Sequence, residues 1–322
     1  MSDFLQVAQV TAAKQALDRL RAGMQASIKG KDDVIDQVLV CLVAGGHLLI
    51  EDLPGVGKTT LAYALARSMD CPFSRIQFTS DLLPGDVTGV AIYDETAKEF
   101  VFKKGPVFAS VVLADEINRT TPKTQSALLE AMNEWQVTVD GRSHKLEPPF
   151  MVIATQNPVE HHGTYPLPES QLDRFLLRLH IGYPGAASER EIVRGLPSPE
   201  GQNQPVIMSV GEVLQLQAAA SAVRVDDAIV DYMLAIVERT RQREALTLGV
   251  SPRGAQALYR ATQALALVEG RDYAIPDDVK RLVLPAFSHR LVVNTRYAPV
   301  QRASVAASRI LEEILTEVDV PL

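Results

Sequence analysis

Residues Glu51 to Thr60 read EDLPGVGKTT, and their types and spacing are suited to holding phosphate groups. Gly55 and Gly57 let backbone N–H groups approach an anion without Cβ clashes, and a helix starting here adds partial positive charge. In the pattern G-x-x-x-x-G-K-[ST], Lys58 reaches the β- and γ-phosphates of a nucleoside triphosphate, and Thr59 offers its hydroxyl to Mg²⁺. Val56 and Thr60 complete the set of nucleotide contacts. One letter departs from the pattern: Asp52 stands where the first glycine belongs. That glycine ends the strand before the chain wraps the phosphates, so its loss leaves the cradle intact. The rival readings are a fortuitous glycine-rich turn and a dinucleotide fold, which lacks its third glycine because position 60 is Thr60.

A phosphate loop that hydrolyses its ligand needs carboxylates nearby, and VVLADEINR (Val111 to Arg119) supplies two at the end of an apolar run. Asp115 is placed to hold Mg²⁺ through water, and Glu116 to polarise an attacking water. FMVIATQNP ends in Asn157, a neutral group able to orient that water; an Asn in a turn before Pro158 is the local alternative. ESQLDRFLLRL carries Arg174, either an arginine finger or part of a helix-ending salt bridge. In SPRGAQAL, Ser251 reads as an N-cap, Pro252 as the first helical residue and Arg253 as a first-turn cation, which is unfavourable to the macrodipole unless an anion binds there. Arg119 is open between a surface charge and a residue facing a neighbour's nucleotide. His161-His162 reads as solvated loop rather than metal ligand, and Trp135 as a hairpin anchor rather than a stacking residue.

These side chains need strands and helices to position them. Apolar runs at His47–Ile50, Arg75–Phe78, Val111–Ala114, Met151–Thr155 and Phe175–Ile181 are mostly free of alternation and are separated by helical patterns, which predicts a parallel sheet covered on both faces. Two inserts read as hairpins, one from Asp86 with Ala91–Tyr93 opposite Phe100–Phe102, the other from Glu134 with an Asp140-Gly141 turn. They are open between sheet edges and projecting ribbons. Residues 183–208 are rich in Pro, Gly and polar side chains and read as a connector with one short helix around Ser188–Arg194. Beyond it, Ser209–Ala222, Asp226–Arg241, Ser251–Val268, Pro276–Phe287 and Gln301–Val318 read as helices capped at Ser209, Asp226 and Ser251. The division is a core over 1–182 with an N-terminal helix, a connector, and an all-α domain over 209–322.

The chain has 322 residues, 47% hydrophobic and 22% charged, enough for two domains with real cores. Its two cysteines, Cys41 and Cys71, exclude a disulfide framework and a Cys-based zinc site and fit a reducing cytoplasm. Neither a signal-type apolar region nor a run of ~20 apolar residues is evident, so membrane insertion is not expected. A net charge of −7 without a dense Lys/Arg tract weighs against a nucleic-acid partner.

The phosphate loop, the Asp-Glu strand, the Asn strand, the Arg of LDRF and the Arg of SPR come in the order of the AAA+ ATPases. The stretches RIQFTSDLLPGDVTGV, GPVFASVVLADEINRTTPKTQSALLEAMNEWQVTVDG and VIATQNPVEHHGTYPLPESQLDRFLLRL resemble the MoxR family within that superfamily, over about Ile28 to Arg290. The resemblance implies an αβα P-loop core with a five-stranded parallel sheet, a helix-two insert, a pre-sensor-1 hairpin and a helical lid. It implies ATP with Mg²⁺ as cofactors, bound at the boundaries of a homo-hexamer. It assigns Lys58 and Thr59 to Walker A, Asp115 and Glu116 to Walker B, Asn157 to sensor 1, Arg174 to a finger reaching a neighbour and Arg253 to sensor 2, in cis or in trans. IKGKDDVI, Ile28 to Ile35, falls where such ATPases line the adenine, and a non-glycine at position 52 is ordinary in the family. The expected function is chaperone-like remodelling or activation of a client protein, including metal or cofactor insertion, with partners that carry a von Willebrand factor A domain. A nucleic-acid motor related to helicases with the same inserts is the alternative, and a small-molecule kinase a weaker third.

Overall fold

The computed structural model describes residues 5–53, 55–96, 98–157, 164–194, 206–294, 296–297 and 303–321. His161-His162, Pro158 and part of the expected connector lie outside the described residues. In chain order the core contains α1 (Val7–Ser27), α2 (Asp32–Val43), β1 (Leu48–Glu51), α3 (Lys58–Ser68), β2 (Phe73–Gln77) and α4 (Pro84–Thr88). It continues with β3 (Gly89–Asp94), β4 (Glu99–Lys104), β5 (Val111–Asp115), α5 (Pro122–Glu134), β6 (Gln136–Val139), β7 (Arg142–Lys145), β8 (Met151–Gln156), α6 (Glu169–Leu172) and β9 (Leu177–Leu179).

The sheet order is β2-β5-β8-β1-β9, with every pair parallel. Leu48–Ile50, Val111–Ala114 and Met151–Ala154 of the inner strands are apolar because both faces are covered, whereas the edge strands β2 and β9 carry Arg75, Gln77 and Arg178. The period of two sorts the apolar side chains between two cores. Leu48, Ile50, Val111, Leu113, Met151 and Ile153 enter one cluster with α1, α2 and α3. Leu49, Val112, Ala114, Val152 and Ala154 enter the other with Leu128, Leu129 and Met132 of α5. Both inserts form two-stranded sheets of their own, β3–β4 and β6–β7, so neither is an edge of the main sheet. The β6–β7 turn has Asp140 at φ 49° and Gly141 at φ 75°, left-handed at both central residues as a tight hairpin of this twist requires. At the root of β3–β4, a Cβ on Gly89 would lie 2.2 Å from the Lys103 carbonyl oxygen, and one on Gly105 2.4 Å from the Gly89 nitrogen, so only glycines allow the strands to meet there.

The second part comprises α7 (Ala186–Val193), α8 (Val210–Ser221), α9 (Asp227–Gln242), β10 (Leu246–Leu248), α10 (Pro252–Val268), α11 (Pro276–Phe287), β11 (Val292–Val293) and α12 (Ala303–Glu317). The helices fall where the caps predicted them. Ser209 forms a reciprocal cap with Glu212, and Asp226 and Ser251 accept N–H groups of Ala228 and Gly254. The lid is helical, with one addition that the sequence pattern did not show, an antiparallel ribbon of β10 and β11. Its α8 to α12 share the α1–α3 cluster, so apolar packing runs without a break from the sheet into the lid. No helix among the described residues is long and apolar enough to cross a membrane.

Candidate functional site

The carboxyl ends of β1, β5, β8 and β9 lie along one edge of the sheet, the edge at which parallel α/β sheets bind ligands. The loop after β1 carries Gly55 at φ 82° and Gly57 at φ 95°, and α3 starts at Lys58. A Cβ on either glycine would meet nothing within 4 Å. The reason for glycine here is therefore the left-handed backbone rather than crowding in the protein, and the space over the loop is open to a ligand. Lys58 is buried, and its Nζ donates to the Asp52 carbonyl oxygen at 2.9 Å.

At the end of β5, Asp115 is buried with both oxygens engaged. Oδ1 accepts the Thr155 hydroxyl at 2.7 Å, and Oδ2 accepts Arg75 Nη2 at 2.6 Å. Glu116 sits in the left-handed region at φ 57°, held there by its N–H donating to Thr155 Oγ1 at 2.8 Å. Its Oε2 accepts Gln77 Nε2 at 2.8 Å and Arg119 Nη1 at 2.9 Å. Arg119 thus lies in the 3-10 turn after β5 with its guanidinium against Glu116. Asn157 is buried at the end of β8, between the P-loop strand and β5 in the sheet order.

A cleft of about 630 Å³ opens between the N-terminus of α2, the end of β9 and the lid; Lys31, Asp33, Arg178, Ile181, Leu284 and Ser308 are among its walls. A separate cavity of about 230 Å³ gathers four arginines, Arg174, Arg253, Arg260 and Arg290, with Asn133 and Asp173, and contains no residue of the Gly55–Thr60 loop. Arg174 donates to the Leu129 carbonyl of α5, and its proton affinity is lowered by burial first and by the Arg253 charge second. Asp173 joins core to lid here. Its Oδ1 accepts Arg290 Nε at 2.7 Å and its Oδ2 the Ser251 hydroxyl at 2.9 Å, the same hydroxyl that caps α10 two residues before Arg253. Arg174 and Arg253 are therefore held beside one another.

Residues 47–177 match the model of the ATPase family associated with various cellular activities (AAA), and residues 238–314 match the AAA lid domain. Chaperone MoxR1 of Mycobacterium tuberculosis is 43% identical over 88% of this chain and 78% of its own length. The chain belongs to the MoxR family of AAA+ ATPases. A Bacillus subtilis protein, YeaC, of uncharacterised role, is 48% identical over 91% of each chain. The crystal structure of a Cytophaga hutchinsonii protein taken to be an ATPase superposes with a TM-score of 0.86 at 35% identity, covering 98% of each chain.

The MoxR chain brings the sequence-predicted residues together in two groups. Lys58, Thr59, Asp115, Glu116 and Asn157 gather along the carboxyl edge of the sheet, while Arg174 and Arg253 share the arginine cavity. Trp135 closes α5 in a left-handed cap and contacts the rings of His47 at 6.3 Å and Phe150 at 6.0 Å, which makes it a hairpin anchor. Sequence reasoning missed the residues that hold the site: Arg75, Gln77, Thr155, Asp173, Arg290 and the role of Asp52. Arg75 and Gln77 did leave a signal, as alternate polar residues on the otherwise short apolar run that forms β2. The others pair across distances of sequence that no local pattern spans.

Proposed function

We propose that this MoxR chain hydrolyses ATP to ADP and phosphate, as one protomer of a homo-hexamer, and uses the cycle to remodel partner proteins. The observation that carries this reading is the convergence of Lys58, Asp115, Glu116 and Asn157 on the carboxyl edge of one parallel sheet. The residues fit Mg²⁺·ATP: the loop over Gly55, Val56 and Gly57 is open, and the Thr59 hydroxyl and Asp115 carboxylate are the hard oxygen donors that Mg²⁺ takes. When bound, Mg²⁺ neutralises charge on the phosphates. Lys58 exchanges the Asp52 carbonyl for the β- and γ-phosphates, and Thr60 continues the helix whose N-terminus faces them. Glu116 accepts a proton from the attacking water, for which its bonds to Gln77 and Arg119 give way, and Asn157 orients that water.

Arg174 and Arg253 act in trans, on the nucleotide of a neighbouring protomer: their cavity is lined by Gly45, Gly46 and His47 before the amino end of β1, whereas the chain's own phosphate loop leaves its carboxyl end. In this reading residues 1–182 form the ATP-binding core, 183–208 the connector and 209–322 the lid. The two free thiols, Cys41 and Cys71, suit a reducing cytoplasm. The decisive experiment compares nucleotide binding with turnover. Lys58→Ala abolishes binding, whereas Glu116→Gln binds ATP and retains it unhydrolysed. Wild-type turnover by Glu116→Gln would sink the assignment of the base.

The partner is a protein carrying a von Willebrand factor A domain, as the family resemblance implies, and the β3–β4 hairpin supports a protein over a nucleic acid. Its Phe100 is 70% exposed and Tyr93 51%, on the opposite face from exposed Val90, Ile92 and Val101, so both faces offer apolar surface, and its Lys98, Lys103 and Lys104 are offset by Asp94, Glu95 and Glu99. Binding and ATPase rate at ~50 mM salt, with single-stranded DNA, duplex DNA and such a partner, separate the readings. Strong salt-sensitive stimulation by DNA and none by the partner would leave a nucleic-acid motor in place of a chaperone.

A further inference from the structure

Asp52 is the residue by which EDLPGVGKTT departs from the phosphate-loop pattern, and it is buried, with 9% of its surface exposed. Its Oδ2 accepts the backbone N–H of Ile181 and, at 2.9 Å, that of Gly182, while Oδ1 takes the N–H of Leu53 at 3.2 Å. Its own carbonyl receives Lys58 Nζ at 2.9 Å. One residue therefore touches the phosphate-loop lysine with its backbone and the exit of β9 with its side chain. From the other side, Lys31 Nζ donates to the carbonyls of Ile181 and, at 2.7 Å, Tyr183. The turn at Gly182, with φ 64°, is gripped through its N–H groups by a carboxylate and through its carbonyls by an ammonium.

That same stretch of chain is a wall of the 630 Å³ cleft, where Arg178, Leu179, His180 and Ile181 face Gly30 to Val34 across the space. Arg178 is buried, and its Nε finds no hydrogen-bond partner among the described residues, so the wall holds a donor in reserve. A glycine at position 52 provides none of the carboxylate bonds and leaves the Ile181 N–H, in a buried residue, without an acceptor. An acid beside a phosphate loop also repels the ligand's charge. A negative group stands at a place where electrostatics alone disfavours it, and what its oxygens do there is hold the cleft wall.

We propose, resting on the ATP reading above and on the resemblance that puts Ile28–Ile35 along the adenine, that Asp52 is a positioning residue that sets the base-side wall of the nucleotide site from the phosphate loop. Base and triphosphate are then recognised in one register, and removing the carboxylate separates the two halves of recognition.

The test is titration of the full chain, wild type and variants, with Mg·ATP and with inorganic tripolyphosphate plus Mg²⁺. Asp52→Gly is expected to bind ATP about tenfold more weakly, the equivalent of one charge-assisted bond, while tripolyphosphate binding is unchanged or tightened. Asp52→Asn gives a smaller loss, since its amide oxygen still accepts from Ile181 and Gly182 while its NH₂ meets the Leu53 N–H. Lys31→Ala lies outside the phosphate loop and reproduces the selective loss for ATP, and it carries the test alone if the Asp52 variants do not fold. A merely structural role weakens both ligands alike. Equal losses for ATP and tripolyphosphate, or no loss for either, overturn the proposal while leaving the ATPase reading intact. Wild-type protein that binds neither ligand overturns both.

Discussion

His47 shows how much of the site's support is neutral. Its Nδ1 accepts the Val152 N–H at 3.0 Å and its Nε2–H donates to the Met132 carbonyl at 3.1 Å, so the uncharged ring satisfies both nitrogens between β1, β8 and α5. Burial, with the Arg260 charge adding to it, pushes its pKa from 6.5 down to about 4. The unfolded chain therefore takes up the proton first. Stability is full above pH 6.5 and falls as pH drops toward 4, by about 2 kcal/mol at pH 5 from this histidine alone. His289, also buried and pushed well below its ordinary value, acts in the same direction. Urea denaturation at pH 7 and pH 5 should show the loss in wild-type protein and a smaller one in His47→Gln. Gly57, at φ 95° with open space around it, makes a complementary prediction. Gly57→Ala should weaken Mg·ATP binding through roughly 1–2 kcal/mol of backbone strain while leaving thermal stability little changed, since a loop that relaxes loses its shape and not the core.

At the scale of elements, the Asp173 joint makes the stiffest prediction. Arg290 has 2% of its side chain exposed and pairs with Asp173, so Asp173→Ala leaves a buried cation without its carboxylate and unties Ser251 from the core. Losing one partner of such a pair costs about 3–5 kcal/mol. Thermal denaturation should show a large drop, and ATPase should fall further than in Ser251→Ala, which loses only the cap and one of the two links. The elements themselves were mostly legible. Leu48–Ile50, Val111–Ala114 and Met151–Thr155 are apolar without alternation because both faces of the sheet are covered, and Ser209, Asp226 and Ser251 announced their helices by local capping chemistry. The β10–β11 ribbon was not legible, since two or three residues per strand carry no period. The Asp52 clamp was hidden for a different reason: its partners lie 129 and 130 residues away, and sequence shows an acid in a glycine's place without showing what it holds. Gln77 was likewise invisible as a neighbour of Glu116, because it comes from β2, whereas Arg119, three residues past Glu116, was in view and only its contact was open.

For the whole molecule, the central fact is that the phosphate loop leaves the carboxyl end of β1 while the arginine cavity gathers at Gly45 to His47, before its amino end. Arg174→Ala should bind ATP and hydrolyse it ~10³–10⁵ more slowly, the range over which arginine fingers act. Mixing Arg174→Ala with Lys58→Ala protein should restore part of the activity, since some boundaries then pair an intact loop with an intact arginine. Mixtures that exchange subunits and stay inactive would count against action in trans. The continuous apolar cluster from sheet to lid bears on how such an assembly moves. Opening the lid would expose that shared core, so the cycle should turn whole protomers against one another, and hydrogen exchange in α10 should stay as slow as in the sheet throughout turnover. The separation of the two sites also gives the chain a direction. If the arginines act in trans as proposed, the trigger lies on one flank and the nucleotide on the other, and copies would join head to tail, a contact that never pairs a patch with itself. Two copies would then complete a single catalytic centre and leave an idle half at each end, as would any open row. Specific activity should therefore rise with protein concentration until the row closes on itself, and an end-capping mutant lacking one flank should poison the assembly at less than equal amounts.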